Sequence, residues 1–282
     1  MSISSFPSTR GTTAPHAARG IAPWNRPDQE SPSSVAKALA LLSSFGPQNL
    51  TMGVSEIARR AQLPKSTAHR LLSVLVDWEM VTKRGTEYSP GNRLAELAAL
   101  ATHPETRHLR QVALPHLLDL YEMTHETVNL CVLAGTDTLY IEKIHGHQGG
   151  HSPAQVGTRL PATNTAVGKA LLAFTDTDVL TRVADNLRPA TSSSISSATR
   201  LAKELDTIRV SGLAYDRQEA RPGLTCVAAP IRAWTGAVVA AVSISGPVQR
   251  FRPTAAAPAV RAAAAGIAQL AQQASWQQQL SS

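Results

Sequence analysis

Little in this chain provides for covalent or catalytic chemistry. It has two cysteines, Cys131 and Cys226, too few for a disulfide framework and at a spacing that fits no zinc motif. A reducing cytoplasm is the expected setting. No run reaches the ~18 consecutive apolar residues that a membrane-spanning helix needs. The opening S-I-S-S-F-P-S-T-R-G lacks the apolar core of a secretory signal. There is no G-x-S-x-G elbow, no phosphate loop and no H-E-x-x-H pair. Thr165-Ala166-Val167-Gly168-Lys169 lacks the glycine spacing of a phosphate loop, so Lys169 is expected to project from a helix. Three histidines gather in H-G-H-Q-G-G-H (His145, His147, His151), but the interleaved glycines read as a flexible loop rather than a metal site. The expectation is a chain that is not an enzyme and holds no cofactor or metal.

What is present is positive charge, unevenly spread. The net charge is +7 over 282 residues, a length that suggests about two domains. Residues 31–93 hold eight Lys/Arg and four Asp/Glu, a balance of +4, whereas the much longer stretch 94–282 holds sixteen against fourteen, only +2. A short basic module is what phosphate binding requires, although a solvated basic surface has the same composition.

Residues 1–30 are rich in Ser, Pro, Thr and Gly without apolar periodicity and read as a disordered tail. From Ser34 a helix is expected with Val35, Ala38, Leu39 and Leu42 on its buried face, stopped at Gly46-Pro47. Ser55 is a candidate cap for a second helix running to Ala61. Gln62-Leu63 makes a turn, and Pro64 suits the first position of a third helix. On that helix Ala68, Leu71, Leu72 and Leu75 form the apolar stripe, which leaves Lys65, Ser66, Thr67, His69, Arg70 and Ser73 facing outward. Two short strands follow, Val81–Lys83 and Glu87–Ser89, joined through Arg84-Gly85-Thr86. Helix, turn, helix and ribbon, in that order, are the plan of a winged helix-turn-helix, which places one helix in the DNA major groove.

Residues 93–104 read as a linker helix. A helix from about Glu105 to Thr124 should turn Leu109, Val112, Leu117 and Leu120 inward, with Pro115 as a possible kink. Strands are then expected at 127–134, 138–145, 213–217, 224–233 and 237–246, helices at 164–174 and 198–211, and a last Ala-rich helix from Thr254 to Gln273. The expected domains are therefore a tail (1–30), a winged helix-turn-helix (31–92), a linker helix (93–104), an α+β domain (105–274) and a short tail (275–282).

On the third helix Arg70 can bind guanine O6 and N7 together, while Ser66, Thr67 and His69 can reach base edges or phosphates. Lys65 stands at the helix start, where phosphate is also favoured, and Lys83 and Arg84 carry charge to the ribbon tip. In the second domain Asp216, Cys226, Ser243 and Ser245 interrupt otherwise apolar strands. Such polar groups are either contacts for a small ligand or, for the serines, satisfied core hydroxyls and, for Cys226, a small buried apolar group.

Seven segments taken together bear on these readings: S-E-I-A-R-R-A-Q-L-P-K-S-T-A-H-R-L-L (55–72), H-E-T-V-N-L (125–130), Y-I-E-K-I (140–144), L-P-A-T-N-T-A-V-G-K-A-L-L-A (160–173), L-D-T-I-R-V-S-G-L-A-Y-D (205–216), G-L-T-C-V-A-A-P-I-R (223–232) and V-S-I-S-G-P (242–247). In this order, over about residues 34–273, they resemble the IclR-type bacterial transcriptional regulators. The resemblance implies a GAF/profilin-like effector-binding domain behind the winged helix-turn-helix. It implies a homodimer or dimer of dimers on palindromic double-stranded operator DNA, acting mostly as a repressor and sometimes as an activator. It also implies a small organic acid as effector, held by Thr163, Asn164, Thr165, Asp216, Cys226, Ser243 and Ser245. An enzyme using the same pocket, or a DNA-binding protein without an effector, are the rival classes.

Overall fold

The computed structural model describes residues 33–46, 49–101, 104–147 and 154–280. The expected tail at 1–30, His151 with the rest of 148–153, and residues 281–282 lie outside them. The chain divides into two compact units, Met1–Glu96 and Leu97–Ser282.

The first unit comprises α1 (Ser34–Ser43), β1 (Met52–Gly53), α2 (Val54–Arg60), α3 (Lys65–Asp77), β2 (Val81–Arg84) and β3 (Glu87–Pro90). The strands form an antiparallel sheet in the order β1-β3-β2. Ala68 and Leu72 of α3 are fully buried against Leu41, Ile57, Val81 and Tyr88, with Leu71 and Leu75 at the edge of that core. At the turn between β2 and β3, Gly85 takes the left-handed conformation (φ 60°) that lets the ribbon reverse sharply.

Three local expectations are corrected here. Val35 and Leu39 of α1 are 69% and 58% exposed, and Leu41 is the residue fully buried. The run V-A-K-A-L-A-L-L is apolar around most of the helix, so periodicity alone cannot select the inward face. Ser55 does not cap α2: strand β1 passes directly into the helix at Gly53, and Ser55 is exposed within the first turn. Pro64 precedes α3 as its cap residue instead of occupying its first position, and its carbonyl accepts from the Ala68 N–H at 3.0 Å.

Helix α4 (Asn92–Ala101) starts in the first unit and ends in the second. The second unit continues with α5 (Pro104–Thr124), β4 (Thr127–Ala134), β5 (Asp137–Ile144), β6 (Arg159–Pro161), a 3-10 turn (Ala162–Asn164), α6 (Ala166–Leu172), α7 (Thr177–Asp185), α8 (Ala198–Ser211), β7 (Ala214–Arg217), β8 (Leu224–Arg232), β9 (Val238–Pro247) and α9 (Pro253–Leu280). Its six strands form one antiparallel sheet in the order β6-β5-β4-β9-β8-β7. This is the α+β plan expected from the sequence.

Strand alternation divides the side chains between two layers. Val242 and Ile244 of β9 and Val227 and Ala229 of β8 point to α5 and α9, where Leu117, Leu120, Val260 and Ile267 complete one core. Cys226 and Ala228 point the other way, to a second core built with Leu172 of α6 and Leu205 of α8. Ser243 and Ser245 alternate with Val242 and Ile244 and so stand on the α6 side.

Strand β6 and helix α7 were not anticipated from the sequence, and the expected helix at 164–174 is split into the 3-10 turn and α6 around Thr165. The final helix runs through Leu280, beyond the expected Gln273. Gly168 shows why a glycine follows T-A-V: a Cβ there would lie 2.2 Å from the Ala162 carbonyl oxygen and 2.5 Å from Thr138 Oγ1. It permits close packing of α6 on the preceding turn.

Candidate functional site

The first unit presents a compact exposed polar face. Lys65, Ser66, His69 and Arg70 are exposed on α3, and Thr67 is half-buried. Ser66, His69, Arg70 and Ser73 recur at the spacing that lines up one helix face, and the buried Ala68 and Leu72 fix that face outward. Lys83 and Arg84 end β2 at the exposed tip of the ribbon. Lys83 Nζ stands 5.6 Å from the Tyr88 ring centroid.

The cations of this unit fall into two groups. Arg59 and Arg60 both bind Glu56, at 2.7 and 2.6 Å, and their hydrogen bonds hold the Glu56 carboxyl down at about 2. Arg93 pairs with Glu96 at 2.7 Å. Among the described residues no carboxylate pairs with Lys65, Arg70, Lys83 or Arg84. Besides Lys37 on α1, the charges left uncompensated among the described residues of this unit are those at the start and outer face of α3 and at the ribbon tip, where a duplex would present phosphates.

In the second unit a cavity of about 20 Å³ lies between the sheet and α6. Thr165, Asp216, Cys226, Ser243 and Ser245 line it, together with Asn129, Tyr140, Leu160, Ala166, Val167, Ala220 and Leu224. Five of the seven residues expected at an effector site are thus brought together. Thr163 and Asn164 are not among the lining residues: both are buried in the 3-10 turn, and Asn164 Nδ2 donates to the Arg188 carbonyl at 2.7 Å. Thr165 caps α6, its Oγ1 accepting from the Gly168 N–H at 3.0 Å.

Register explains the polar wall. Asn129 on β4 pairs with Ser243 on β9, and Cys226 on β8 pairs with both Ser245 on β9 and Asp216 on β7. Cross-strand partners share a sheet face, so these side chains converge. Asn129 Nδ2 donates to Ser243 Oγ at 3.3 Å and to Ser245 Oγ at 3.2 Å. Cys226 Sγ donates to Asp216 Oδ2 at 3.6 Å, and Asp216 Oδ1 accepts from the Glu219 N–H at 2.6 Å.

Asp216 is 1% exposed, and burial pushes its carboxyl up to about 6, with the Glu219 carboxylate acting in the same direction. The backbone N–H of Glu219 and the Lys169 ammonium oppose that rise. Burial likewise drives the Cys226 thiol and the Tyr140 hydroxyl well up, so both present protonated donors. Among the described residues no cation lines the cavity.

Lys169 does not project from α6, contrary to the sequence expectation. It is 0% exposed, and its ammonium reaches Glu219 at 2.7 and 2.8 Å and Glu204 at 3.2 Å. All seven residues of α6 are buried, so the lysine is tolerable only because two carboxylates meet it. Through the Glu219 N–H this ion pair is tied to the Asp216 carboxylate, which it positions in the cavity wall.

Two family models match the chain in succession: the IclR helix-turn-helix domain over residues 34–85 and the bacterial transcriptional regulator IclR C-terminal domain over residues 102–273. The chain belongs to the IclR family of bacterial transcriptional regulators. It is 32% identical over 226 residues to the HTH-type transcriptional regulator KdgR of Escherichia coli K12, covering 79% of this chain and 85% of that one. The transcriptional repressor IclR of the same organism is 29% identical over 222 residues, covering 77% and 81%. Among solved structures, an IclR homolog from Microbacterium hydrocarbonoxydans complexed with 4-hydroxybenzoate superposes with a TM-score of 0.75 at 31% identity, covering 86% of this chain and 100% of that one. The Thermotoga maritima IclR gives 0.70 at 30% identity, covering 84% and 98%.

An IclR-family chain is a transcriptional regulator, not an enzyme. Among the described residues no group of three or more His, Cys, Asp or Glu side chains is placed to hold a metal ion. No helix among them is long and apolar enough to cross a membrane. Sequence reasoning missed Asn129, Tyr140 and Lys169. Asn129 and Tyr140 sit in segments quoted for the resemblance, H-E-T-V-N-L and Y-I-E-K-I. An amide and a hydroxyl inside strands that otherwise bury apolar groups were the available signal.

Proposed function

We propose that this protein is a cytoplasmic, ligand-responsive repressor that binds a palindromic operator as a homodimer or a dimer of dimers and is controlled by a small organic acid. Each protomer lays α3 in the major groove, with Arg70, His69, Ser66 and Thr67 reading base edges and Lys65 meeting phosphate at the helix start. Lys83 and Arg84 grip the flanking backbone. The observation that carries the reading is the distribution of charge compensation: the cations of α2 and α4 are matched by Glu56 and Glu96, while those on the reading face of α3 and the ribbon tip are not.

The effector enters the cavity between the sheet and α6. Ser243 and Tyr140 supply hydroxyl donors to its carboxylate, Thr165, Cys226 and Ser245 shape the wall, and Thr163 and Asn164 support it from the preceding turn. The acid is larger than a cavity of about 20 Å³, which holds little more than one water. Binding therefore separates α6 from the sheet, and this differential work biases the assembly between DNA-competent and DNA-incompetent states. A liganded relative and the repressor name of another support this reading.

The test separates the two functions. Full-length protein carrying Ser243→Ala and Ser245→Ala should bind its operator with wild-type affinity and no longer respond to an acid that dissociates the wild type. A normal response in the double variant removes both serines from the effector site.

A further inference from the structure

Three buried side-chain nitrogen or oxygen atoms among the described residues have no hydrogen-bond partner: His108 Nε2, His116 Nε2 and Asn129 Oδ1. The two histidines belong to α5, on the far face of the sheet. Asn129 is different, because it lines the cavity and is only 3% exposed. Its amide orientation follows from its neighbours. The Ser245 hydroxyl directs its hydrogen at the Thr127 carbonyl, 3.4 Å away, so toward Asn129 it can only accept. Nδ2 therefore faces the two serines, and Oδ1 is turned away from them.

Among the described residues no hydrogen-bond donor reaches that oxygen. Lys143, the cross-strand partner of Asn129 on β5, shares its sheet face, but its ammonium donates to the Ala154 carbonyl. Lys169 is taken by Glu219 and Glu204. The Cys226 thiol is directed at Asp216. A buried amide oxygen in a polar cavity is satisfied either by a trapped water or by a group that replaces it. An acid without a hydroxyl would displace the water and leave Oδ1 unpaired; an acid with one would not.

We propose that the effector is a hydroxy acid and that Asn129 selects it, the ligand hydroxyl donating to Oδ1 while the carboxylate receives the Ser243 and Tyr140 hydroxyls. The inference rests on the reading of this cavity as the effector site. It assigns Asn129 a task distinct from Ser243 beside it: the serine holds the acid, and the amide measures whether a hydroxyl accompanies it. Sites that hydrogen-bond a ligand hydroxyl discriminate strongly against the analogue lacking it, because the site's own polar group is then stranded.

Isothermal titration calorimetry on the full chain, with matched acids that differ by one hydroxyl, tests this. The probes are 4-hydroxybenzoate against benzoate and lactate against propionate. In the wild type, the hydroxylated member of a binding pair should be favoured by at least ~10-fold. In Asn129→Leu, which keeps size and removes the acceptor, the ratio should fall to within about twofold. Asn129→Asp, which restores an acceptor, should recover the preference while weakening every acid through charge repulsion. Equal affinities within each pair in the wild type, or a preference that survives in Asn129→Leu, overturns the role of Asn129 and leaves the cavity as the acid site. Failure of all four acids to bind overturns the effector reading of the cavity, and this inference with it.

Discussion

Lys169 Nζ lies 2.7 Å from Glu219 Oε1, both groups buried, with Glu204 3.2 Å away as a second partner. This pair is the electrostatic centre of the second unit. It makes a fully buried helix compatible with a lysine, and through the Glu219 backbone it sets the position of Asp216. A carboxylate left in that place without its cation would be stranded in low dielectric.

Lys169→Met should therefore be among the most damaging single changes in the chain. Removing one partner of a buried pair costs ~3–5 kcal/mol, read as a fall in the denaturation midpoint of the second unit. Lys169→Met combined with Glu219→Gln should recover a large part of that loss. A single variant that unfolds like the wild type contradicts the assigned role of the pair.

Asp216 gives a pH signature with a definite sign. Its carboxyl titrates near 6 in the folded chain and near 3.8 when unfolded. Below pH ~4 the group is protonated in both states and contributes nothing. Between about 4 and 6 the unfolded chain releases its proton and the folded chain keeps it, so this group's contribution to stability falls as pH rises and levels off above 6. The full effect is on the order of 2–3 kcal/mol. Asp216→Asn should thus gain stability relative to wild type across that window. A difference between the two proteins that is flat from pH 4 to 7 contradicts the burial argument.

Base-reading and phosphate-gripping residues should separate experimentally. Arg70→Ala should cost ~1–3 kcal/mol on the preferred operator and relax the preference at one base position. Lys83→Ala should weaken all duplexes alike and lower the slope of log K against log salt by about 1. A salt series on matched and mismatched duplexes distinguishes them. Interchanged behaviour would mean that the ribbon reads sequence and α3 only grips.

Gly168→Ala tests the packing of α6 without removing any polar group. Its Cβ would meet the Ala162 backbone oxygen at 2.2 Å, a contact that only backbone movement can relieve. The cost should be at least ~1–3 kcal/mol of stability, and the effector response should fail before DNA binding does.

The winged unit was largely legible from sequence because its signals are local. Turn residues at Gln62 and Gly85 and the stripe Ala68, Leu71, Leu72 and Leu75 specify it within about thirty residues. Face selection on α1 failed where the pattern was apolar all round, and the cap at Ser55 failed because the pairing of β1 with β3, which brings the chain into α2 through Gly53, is a long-range fact. The second unit shows the same limit more strongly. Its strands were readable from alternation, but the convergence of Asn129, Ser243, Cys226 and Asp216 depends on register across β4, β9, β8 and β7. Lys169 was misjudged for the same reason: its partners lie 35 and 50 residues away in sequence, and a lysine on a helix without visible partners reads as surface.

The most direct measurement is binding of the full chain to the DNA upstream of its own gene, by fluorescence anisotropy at fixed salt, against a scrambled duplex of equal length. A regulator that reads sequence through α3 should prefer the upstream fragment by at least ~10³-fold, and Arg70→Ala should erode that preference. Equal binding to both duplexes by wild-type protein, lost in parallel as salt is raised, would contradict the account and leave only a non-specific basic surface.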